Sequence, residues 1–344
     1  RIIIMDEPTS SLSEAETATL FTIIRMLTEK NIAVVYISHK LDEVMELSDR
    51  ITVIRDGQNI VTMDKTDTTQ DELIAHMIGR SLENLYQKVP AEIGAPVLDV
   101  QGLTRRGVFE DVTFQARAGE ILGFFGLVGA GRSEIMRAVF GADRYNSGTV
   151  SINGKKLHGG DPAAAIDAGI GFCTEDRKSE GLALRLSILQ NMTIVHLPKL
   201  AHGGVIDRAA QKKAADEYVK SISIKTPSTA QLAGNLSGGN QQKVVVAKWL
   251  MMDPKVLIVD EPTRGIDVGS KSEIYGLLSQ LAQTGMAIIV VSSEIEEIMG
   301  ICDRVITVCE GRLTAEFPVK GLNSEKVLAA ALGKTQEGGD GREK

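Results

Sequence analysis

The sequence contains no run of about 18 apolar residues, the shortest length that crosses a bilayer as a helix. No segment is therefore expected to span a membrane, and any role at a membrane would need a partner. Cysteine is scarce. The three cysteines are odd in number and lack the spacing of a metal site, so we expect buried thiols in a reducing compartment. Lysine and arginine form no dense run and the net charge is −7, which argues against nucleic acid as the main ligand.

The composition is that of a well-packed globular protein, with 43% hydrophobic and 24% charged residues among 344. Apolar strand-like runs alternate with helix-like patterns, which predicts an α/β fold whose sheet is covered by helices. The length predicts two domains. The predicted limits are 1–86 for the first domain, 87–96 for a linker, 97–332 for the second domain with a helical subdomain at about 176–236, and 333–344 for a disordered tail.

An internal repeat is visible in the sequence. Asp-Glu-Pro-Thr follows an apolar run at positions 6–9 and again at 260–263, and the difference between positions 260 and 6 is 254. The same offset superposes further pairs without gaps: Ser38-His39 on Ser292-Ser293, Asp49-Arg50 on Asp303-Arg304, and Gly57 on Gly311. The repeat predicts two copies of one unit, of which the first lacks its front half. Because the chain starts with arginine inside an apolar run, we expect it to be truncated at the N-terminus.

A glycine-rich segment at positions 126–133 lies between a predicted strand at 121–125 and a predicted helix at 133–140. In this context glycines let backbone N–H groups turn toward a phosphate, and a helix N-terminus attracts anions. The candidate phosphate-binding residues are Gly126, Gly129, Gly131, Arg132 and Ser133, and the last of these is also a candidate Mg²⁺ ligand. Arg132 stands where a compact lysine is usual, which predicts nucleotide binding with poor turnover. The alternative is a glycine-rich turn without a ligand.

A second glycine-bearing turn precedes a predicted helix at 241–251. Its candidate nucleotide-binding residues are Ser237, Gly238, Gly239 and Asn240. Ser-Gly-Gly alone is typical of a linker. The carboxylate pair that follows the next apolar strand favours a phosphate site instead, because hydrolysis of a nucleoside triphosphate needs both an anion cradle and a metal-binding carboxylate.

The two acidic pairs are the candidate metal and catalytic residues. Asp260 is expected to hold Mg²⁺ through water, while Glu261 orients or deprotonates the attacking water. Asp6 and Glu7 would repeat these roles in the first copy. The alternative is that each pair merely caps the following turn.

Two further candidates follow predicted strands. His39 could contact a γ-phosphate, although a histidine at a strand end is often structural. Its counterpart in the repeat is Ser293, so the second copy lacks the imidazole as well as the lysine, which predicts an asymmetric pair of sites. Glu175, within the charged segment 174–178, could approach Mg²⁺ or the water; the alternative is a solvated charge cluster.

Taken together, these motifs resemble the ATP-binding cassette superfamily and, more narrowly, the tandem-cassette ATP-binding subunits of bacterial monosaccharide importers of the ribose, galactose and xylose class. The resemblance implies a P-loop ABC ATPase cassette, a mixed sheet flanked by helices with a helical subdomain, preceded by the C-terminal half of a first cassette. It also implies ATP and Mg²⁺ as cofactors and two cassettes paired head to tail. Segment 236–240 would then complete the working site with Glu7 and His39, whereas the site of Arg132, Ser133 and Glu261 would be degenerate.

The resemblance implies an enzyme that hydrolyses ATP to energise sugar import, bound peripherally at the cytoplasmic face of the inner membrane. Transmembrane permease subunits would dock on segment 176–236, and a periplasmic sugar-binding protein would act indirectly; no nucleic acid is expected. This chain is expected to bind nucleotide weakly and to hydrolyse little ATP. Two alternatives are a soluble tandem ATPase acting on ribosomes or DNA, and a non-hydrolysing regulatory protein.

Overall fold

The computed structural model describes residues 1–9, 12–38, 40–55, 57–78, 86 and 88–334. His39, Gln87 and most of the predicted tail lie outside the described residues. The chain divides into two compact units, one of Arg1–Leu85 with Asp267–Gly269 and one of the remaining residues. The domain limits given above stay predictions. Within the described part of the chain, no helix combines the length and the apolar character needed to traverse a bilayer.

The first unit contains two small sheets and three α-helices among its described residues. Its strands are β1 (Ile2–Asp6), β2 (Ala33–Ile37), β3 (Arg50–Arg55) and β4 (Gln58–Asp64), and its helices are α1 (Glu14–Glu29), α2 (Leu41–Leu47) and α3 (Gln70–Ile78). β1 and β2 pair in parallel because α1 returns the chain between them, whereas β3 and β4 form an antiparallel hairpin. Val44, Ile51, Val53 and Leu73 form a buried core beneath the hairpin.

The second unit holds the larger sheet. Its strands are β5 (Pro96–Arg105), β6 (Phe109–Arg117), β7 (Ile121–Phe125), β8 (Ser147–Ile152), β9 (Lys155–Lys156), β10 (Ile170–Cys173), β11 (Ala201–His202), β12 (Val205–Ile206), β13 (Val256–Asp260), β14 (Ala287–Ser292), β15 (Arg304–Cys309) and β16 (Arg312–Pro318). Its helices are α4 (Arg132–Phe140), α5 (Pro162–Ala168), α6 (Ile188–Thr193), α7 (Leu197–Leu200), α8 (Arg208–Ser221), α9 (Gly238–Leu250), α10 (Val268–Gln283), α11 (Ile295–Ile301) and α12 (Ser324–Ala331).

The main sheet has the strand order β10-β13-β14-β7-β15-β16 and is parallel except for β16. β7, β13 and β14 are buried at every residue, because helices cover both faces of a parallel sheet. A second, antiparallel sheet has the order β6-β5-β8-β9. The predicted α/β fold with a mixed sheet flanked by helices is therefore confirmed for this unit. The parallel strands end at one edge, where the loops after β7, β10, β13 and β14 begin.

The segment between β10 and α9 is mainly helical, as the sequence predicts. α6 packs against α8 and α9, while β11 and β12 form a short hairpin. α7 leads directly into the first strand of this hairpin.

The internal repeat extends to the elements themselves. Five elements of the first unit have counterparts 254 positions later with the same lengths: β1 corresponds to β13, α1 to α10, α2 to α11, β3 to β15 and β4 to β16. The backbone repeats as well, since Glu7 and Glu261 both adopt positive φ, 44° and 45°. The assignment of the first unit to part of a cassette stays a prediction.

Candidate functional site

The phosphate loop, residues 126–133, needs its glycines for backbone reasons. Gly129 and Gly131 have φ of 83° and 98°, a region that side chains disfavour. A Cβ on Gly126 would lie 2.4 Å from the carbonyl oxygen of Val308, so the loop could not keep this path with another residue. α4 begins at Arg132 with Gly131 as its N-cap. The N–H groups of its first turn lack intrahelical acceptors and are available to an anion.

Asp260 and Ser133 come together at the end of β13. The Asp260 side chain is buried, and Ser133 lies close enough to its carboxylate to lower the pKa of Asp260. Its Oδ1 has no hydrogen-bond partner among the described residues. Burial raises the pKa of Asp260 to about 6, even though Ser133 and Arg132 act in the opposite direction. A buried carboxylate with a spare oxygen beside a hydroxyl is an oxygen donor set that fits Mg²⁺.

The raised pKa of Asp260 predicts a pH-dependent stability in the metal-free protein. The folded state binds the Asp260 proton more tightly than the unfolded chain does, so the free energy of unfolding falls as pH rises from about 4 to about 6. Asp260→Asn removes this fall and should be more stable than wild type by roughly 1–3 kcal/mol at pH 7.5, with the gain lost at pH 4.5. Urea unfolding with EDTA at both pH values measures the difference. A gain of equal size at both values would contradict the assigned cause.

Glu261 follows Asp260 and contacts the phosphate loop. Its backbone N–H donates to Val291 O at 2.8 Å, and its Oε1 accepts from Ser293 N at 2.9 Å. Arg132 Nη2 lies 3.3 Å from the same Oε1. Burial raises the pKa of Glu261, and Arg132 opposes that rise. Arg132 is itself buried, and its Nη1 is without a partner in the described part of the chain, so a guanidinium N–H remains for an anion.

The Ser-Gly-Gly turn, residues 237–239, begins α9. Ser237 is the N-cap residue, but its hydroxyl accepts from Asn240 Nδ2 at 2.9 Å and makes no capping bond to the helix. Asn240 Oδ1 accepts from Lys225 N at 2.7 Å, so the Asn240 amide shapes the turn. The N–H groups at the start of α9 therefore stay available to another acceptor. The role of these residues toward nucleotide stays a prediction.

Arg177 lies inside the protein, next to the Ser-Gly-Gly turn. It is 8% exposed, and its Nη1 and Nη2 donate to the carbonyl oxygens of Arg264 and Gly265 at 2.5 and 2.9 Å. A Cβ on Gly238 would lie 2.9 Å from Arg177 Nη2. The interpretation of segment 174–178 as a solvated charge cluster is therefore wrong for Arg177, which connects the loop after β10 to the loop after β13.

Glu175 is exposed, and its carboxylate pairs with the Arg264 guanidinium. This ion pair joins the loop after β10 to the loop after β13. The assignment of Glu175 to Mg²⁺ stays a prediction.

In the first unit, Asp6 ends β1, Glu7 follows it, and both residues are exposed. Glu7 N donates to Ile37 O at 2.8 Å, the equivalent of the backbone bond made by Glu261. The predicted roles of Asp6, Glu7 and His39 stay predictions, and His39 is outside the described residues.

The sequence did not single out the buried carboxylates Glu43 and Glu297. The signal was present, because both residues occupy the same position in the repeat. The local pattern gives no such signal, because each glutamate stands beside other charged residues on a short helix.

Comparison with known proteins places these features in a family. A family model described as ABC transporter matches residues 109–264. The chain is 46% identical over 332 residues to the ribose import ATP-binding protein RbsA of Bacillus subtilis, with 96% of this chain and 67% of that protein covered. It is 47% identical over 332 residues to a putative ribose/galactose/methyl galactoside import ATP-binding protein of Rhizobium etli, with 96% and 63% covered.

A ribose import ATP-binding protein of Streptomyces avermitilis is 46% identical over 334 residues, which cover 97% of this chain and 66% of that protein. The chain thus spans a little under two thirds of the length of several such relatives.

Solved structures share the fold. The structure of cbiO1 from Clostridium perfringens has a TM-score of 0.57 at 24% identity, covering 68% of this chain and 92% of that chain. A dimeric ATP-binding cassette in a post-hydrolysis state with ADP and Pi also has a TM-score of 0.57, at 23% identity, covering 65% and 100%. At these identities the likeness shows the fold alone, whereas the Bacillus subtilis relative shows kinship along most of the chain. The chain belongs to the ABC transporter family of ATP-binding proteins.

Proposed function

We propose that the protein hydrolyses ATP to energise the import of a monosaccharide through membrane permease subunits. The names of its relatives, which are ribose or galactoside import ATP-binding proteins, support the sugar class. The observation that carries the proposal is the buried Asp260, whose Oδ1 lacks a partner among the described residues, close to Ser133 of the phosphate loop. A hydroxyl and an unsatisfied carboxylate oxygen beside free helix N–H groups fit a Mg²⁺-bound triphosphate.

Each residue has a distinct part in this proposal. N–H groups of the phosphate loop and of α4 bind phosphate oxygens, and Arg132 adds positive charge. Ser133 and Asp260 would hold Mg²⁺, which supplies positive charge to the phosphate oxygens during phosphoryl transfer. Glu7 accepts a proton from the attacking water, and His39 contacts the γ-phosphate.

The partners follow from the same proposal. Permease subunits dock on the helical segment between β10 and α9, where Asp176 and Lys178 are exposed beside the buried Arg177. A periplasmic sugar-binding protein delivers the sugar to the permease. The protein itself acts peripherally at the cytoplasmic face of the bacterial inner membrane.

A second candidate function applies to the second unit: a nucleotide-binding site that regulates without hydrolysis. The 3.3 Å approach of Arg132 Nη2 to Glu261 Oε1 favours it. Burial still raises the pKa of Glu261, but the guanidinium opposes that rise and occupies Oε1, which leaves this oxygen less available to an attacking water. Hydrolysis at this site is therefore slow in our proposal, and the site of Glu7 carries the turnover.

Ser133→Ala tests nucleotide binding at the second unit. The variant is expected to bind a fluorescent ribose-labelled ATP about tenfold more weakly in Mg²⁺, because one metal-binding oxygen is lost, and as well as wild type in EDTA. Fluorescence titration with and without Mg²⁺ measures both affinities. Ser221→Ala, at the exposed end of α8, is the matched control.

Wild-type affinity that does not respond to Mg²⁺ would count against the metal site. ATP-dependent uptake of labelled ribose, galactose and xylose into vesicles that contain the protein and its permease tests the transport role. Uptake that proceeds without the protein would refute that role.

A further inference from the structure

Glu297 on α11 is a buried carboxylate that the proposed chemistry does not use. It is 1% exposed and receives hydrogen bonds from three hydroxyl groups. Tyr275 OH lies 2.6 Å from Oε1, Ser292 Oγ lies 2.6 Å from Oε2, and Thr263 Oγ1 also donates to Oε1. Lys271 Nζ is 4.0 Å away. A carboxylate is tolerated in such a place because these bonds replace its water, and they tie three segments together.

Glu43 on α2 has the same surroundings in the first unit. Thr9 Oγ1 lies 2.7 and 2.8 Å from its two oxygens, while Tyr36 OH and Ser38 Oγ lie 2.7 and 3.2 Å from Oε2. Lys40 Nζ is 3.1 Å away. Glu43, Thr9 and Ser38 each precede their counterparts in the second unit by the repeat offset of 254 positions.

The tyrosine is the exception to the repeat. Tyr36 belongs to β2 and Tyr275 to α10, and the positions equivalent to them are Val290 and Phe21. Both units therefore supply a phenol to the carboxylate, but from different elements. Packing inherited from a common repeat does not explain this difference. A requirement to hold the carboxylate by three hydroxyls does.

The hydrogen bonds of Glu297 connect it through two loops to Glu261, the catalytic candidate of this unit. Thr263 lies two residues after Glu261, in the loop that follows β13. Ser292 immediately precedes Ser293, whose N–H donates to Glu261 Oε1 at 2.9 Å. Glu297 thus fixes the loop that carries Glu261 against the loop that orients its carboxylate.

We propose that Glu43 and Glu297 are positioning residues for ATP hydrolysis, each holding the carboxylate of Glu7 or Glu261 in place through its two loops. The inference rests on the proposed function. It assigns the larger effect on turnover to Glu43, because Glu7 belongs to the site expected to hydrolyse ATP.

The variant Glu43→Gln, made in the full-length protein, tests the positioning role. The amide places an NH₂ group where a hydroxyl now donates, so the loops lose their register and kcat should fall about tenfold. The KM for ATP and the affinity for labelled ATP should stay within about threefold, because the phosphate contacts are intact. Thr9→Val should reproduce the fall in kcat, and Thr9→Ser should restore most of it.

Thr307→Val is the matched control, since Thr307 is a fully buried hydroxyl on β15 that bonds to Thr314 Oγ1 at 2.8 Å. It should lower thermal stability without changing kcat. An unchanged kcat in Glu43→Gln, or an equal loss in Thr9→Ser and Thr9→Val, would overturn the positioning role while wild-type turnover persists. Absence of turnover in the wild-type complete protein would overturn the proposed function itself.

Discussion

Replacing Glu7 by glutamine is expected to abolish ATP turnover in the complete protein, with kcat lowered at least about 100-fold. Glutamine keeps the size and the backbone of the residue but cannot accept a proton from water. Nucleotide binding should persist, because Glu7 contributes no phosphate contact in the proposed chemistry. Release of inorganic phosphate under saturating ATP and Mg²⁺ measures kcat, and titration with labelled ATP measures affinity.

Glu261→Gln is the matched control, because it makes the same change at the equivalent position of the repeat. Its effect on kcat should be only about threefold or less, since Arg132 already restrains Glu261. Equal losses in the two variants would contradict the proposed asymmetry. Retained turnover in Glu7→Gln would move catalysis elsewhere in the chain.

The second large effect is expected at Arg177. Arg177→Ala removes the donors of two backbone carbonyl groups, at Arg264 and Gly265, and leaves them without these partners in a part-buried region. The Gly265 turn would then shift relative to Gly238, and turnover in the complete protein should fall about 30-fold or more. Phosphate release and sugar uptake should be lost together.

Lys178→Ala is the control next to it, because Lys178 is exposed and carries the same charge sign. This variant should keep phosphate release by the isolated protein and lose only uptake, if permease subunits dock at this segment. Normal turnover in Arg177→Ala would show that the two carbonyl bonds do not matter for the site.

The sequence predicted the central elements well where apolar periodicity and motif coincide. The strand predicted at 121–125 is β7, and the apolar run predicted before the second acidic pair is β13, which extends through Asp260. The helix predicted from residue 133 starts one residue earlier, at Arg132. Ser133 lies near Asp260, because β7 and β13 end at the same edge of the sheet and α4 begins just after β7. Their joint role as Mg²⁺ ligands stays a prediction.

What the sequence did not show depends on burial. Arg177 and Glu297 stand among charged neighbours, and nothing in that pattern separates an internal residue from a solvated one. α10 begins at Val268 and includes Gly269 and Ser270, two residues of poor helix propensity that a sequence pattern would leave outside a helix. Burial of a charged group is set by long-range contacts, which periodicity does not encode.

The positive φ shared by Glu7 and Glu261 has a thermodynamic consequence. A residue with a side chain in the left-handed region sits roughly 1–2 kcal/mol above glycine in the same conformation. A chain optimised for heat resistance alone would therefore carry glycine or asparagine at both turns. Each loop instead keeps a glutamate, which lowers the stability of the folded state at the same position where it supplies a carboxylate for the proposed chemistry.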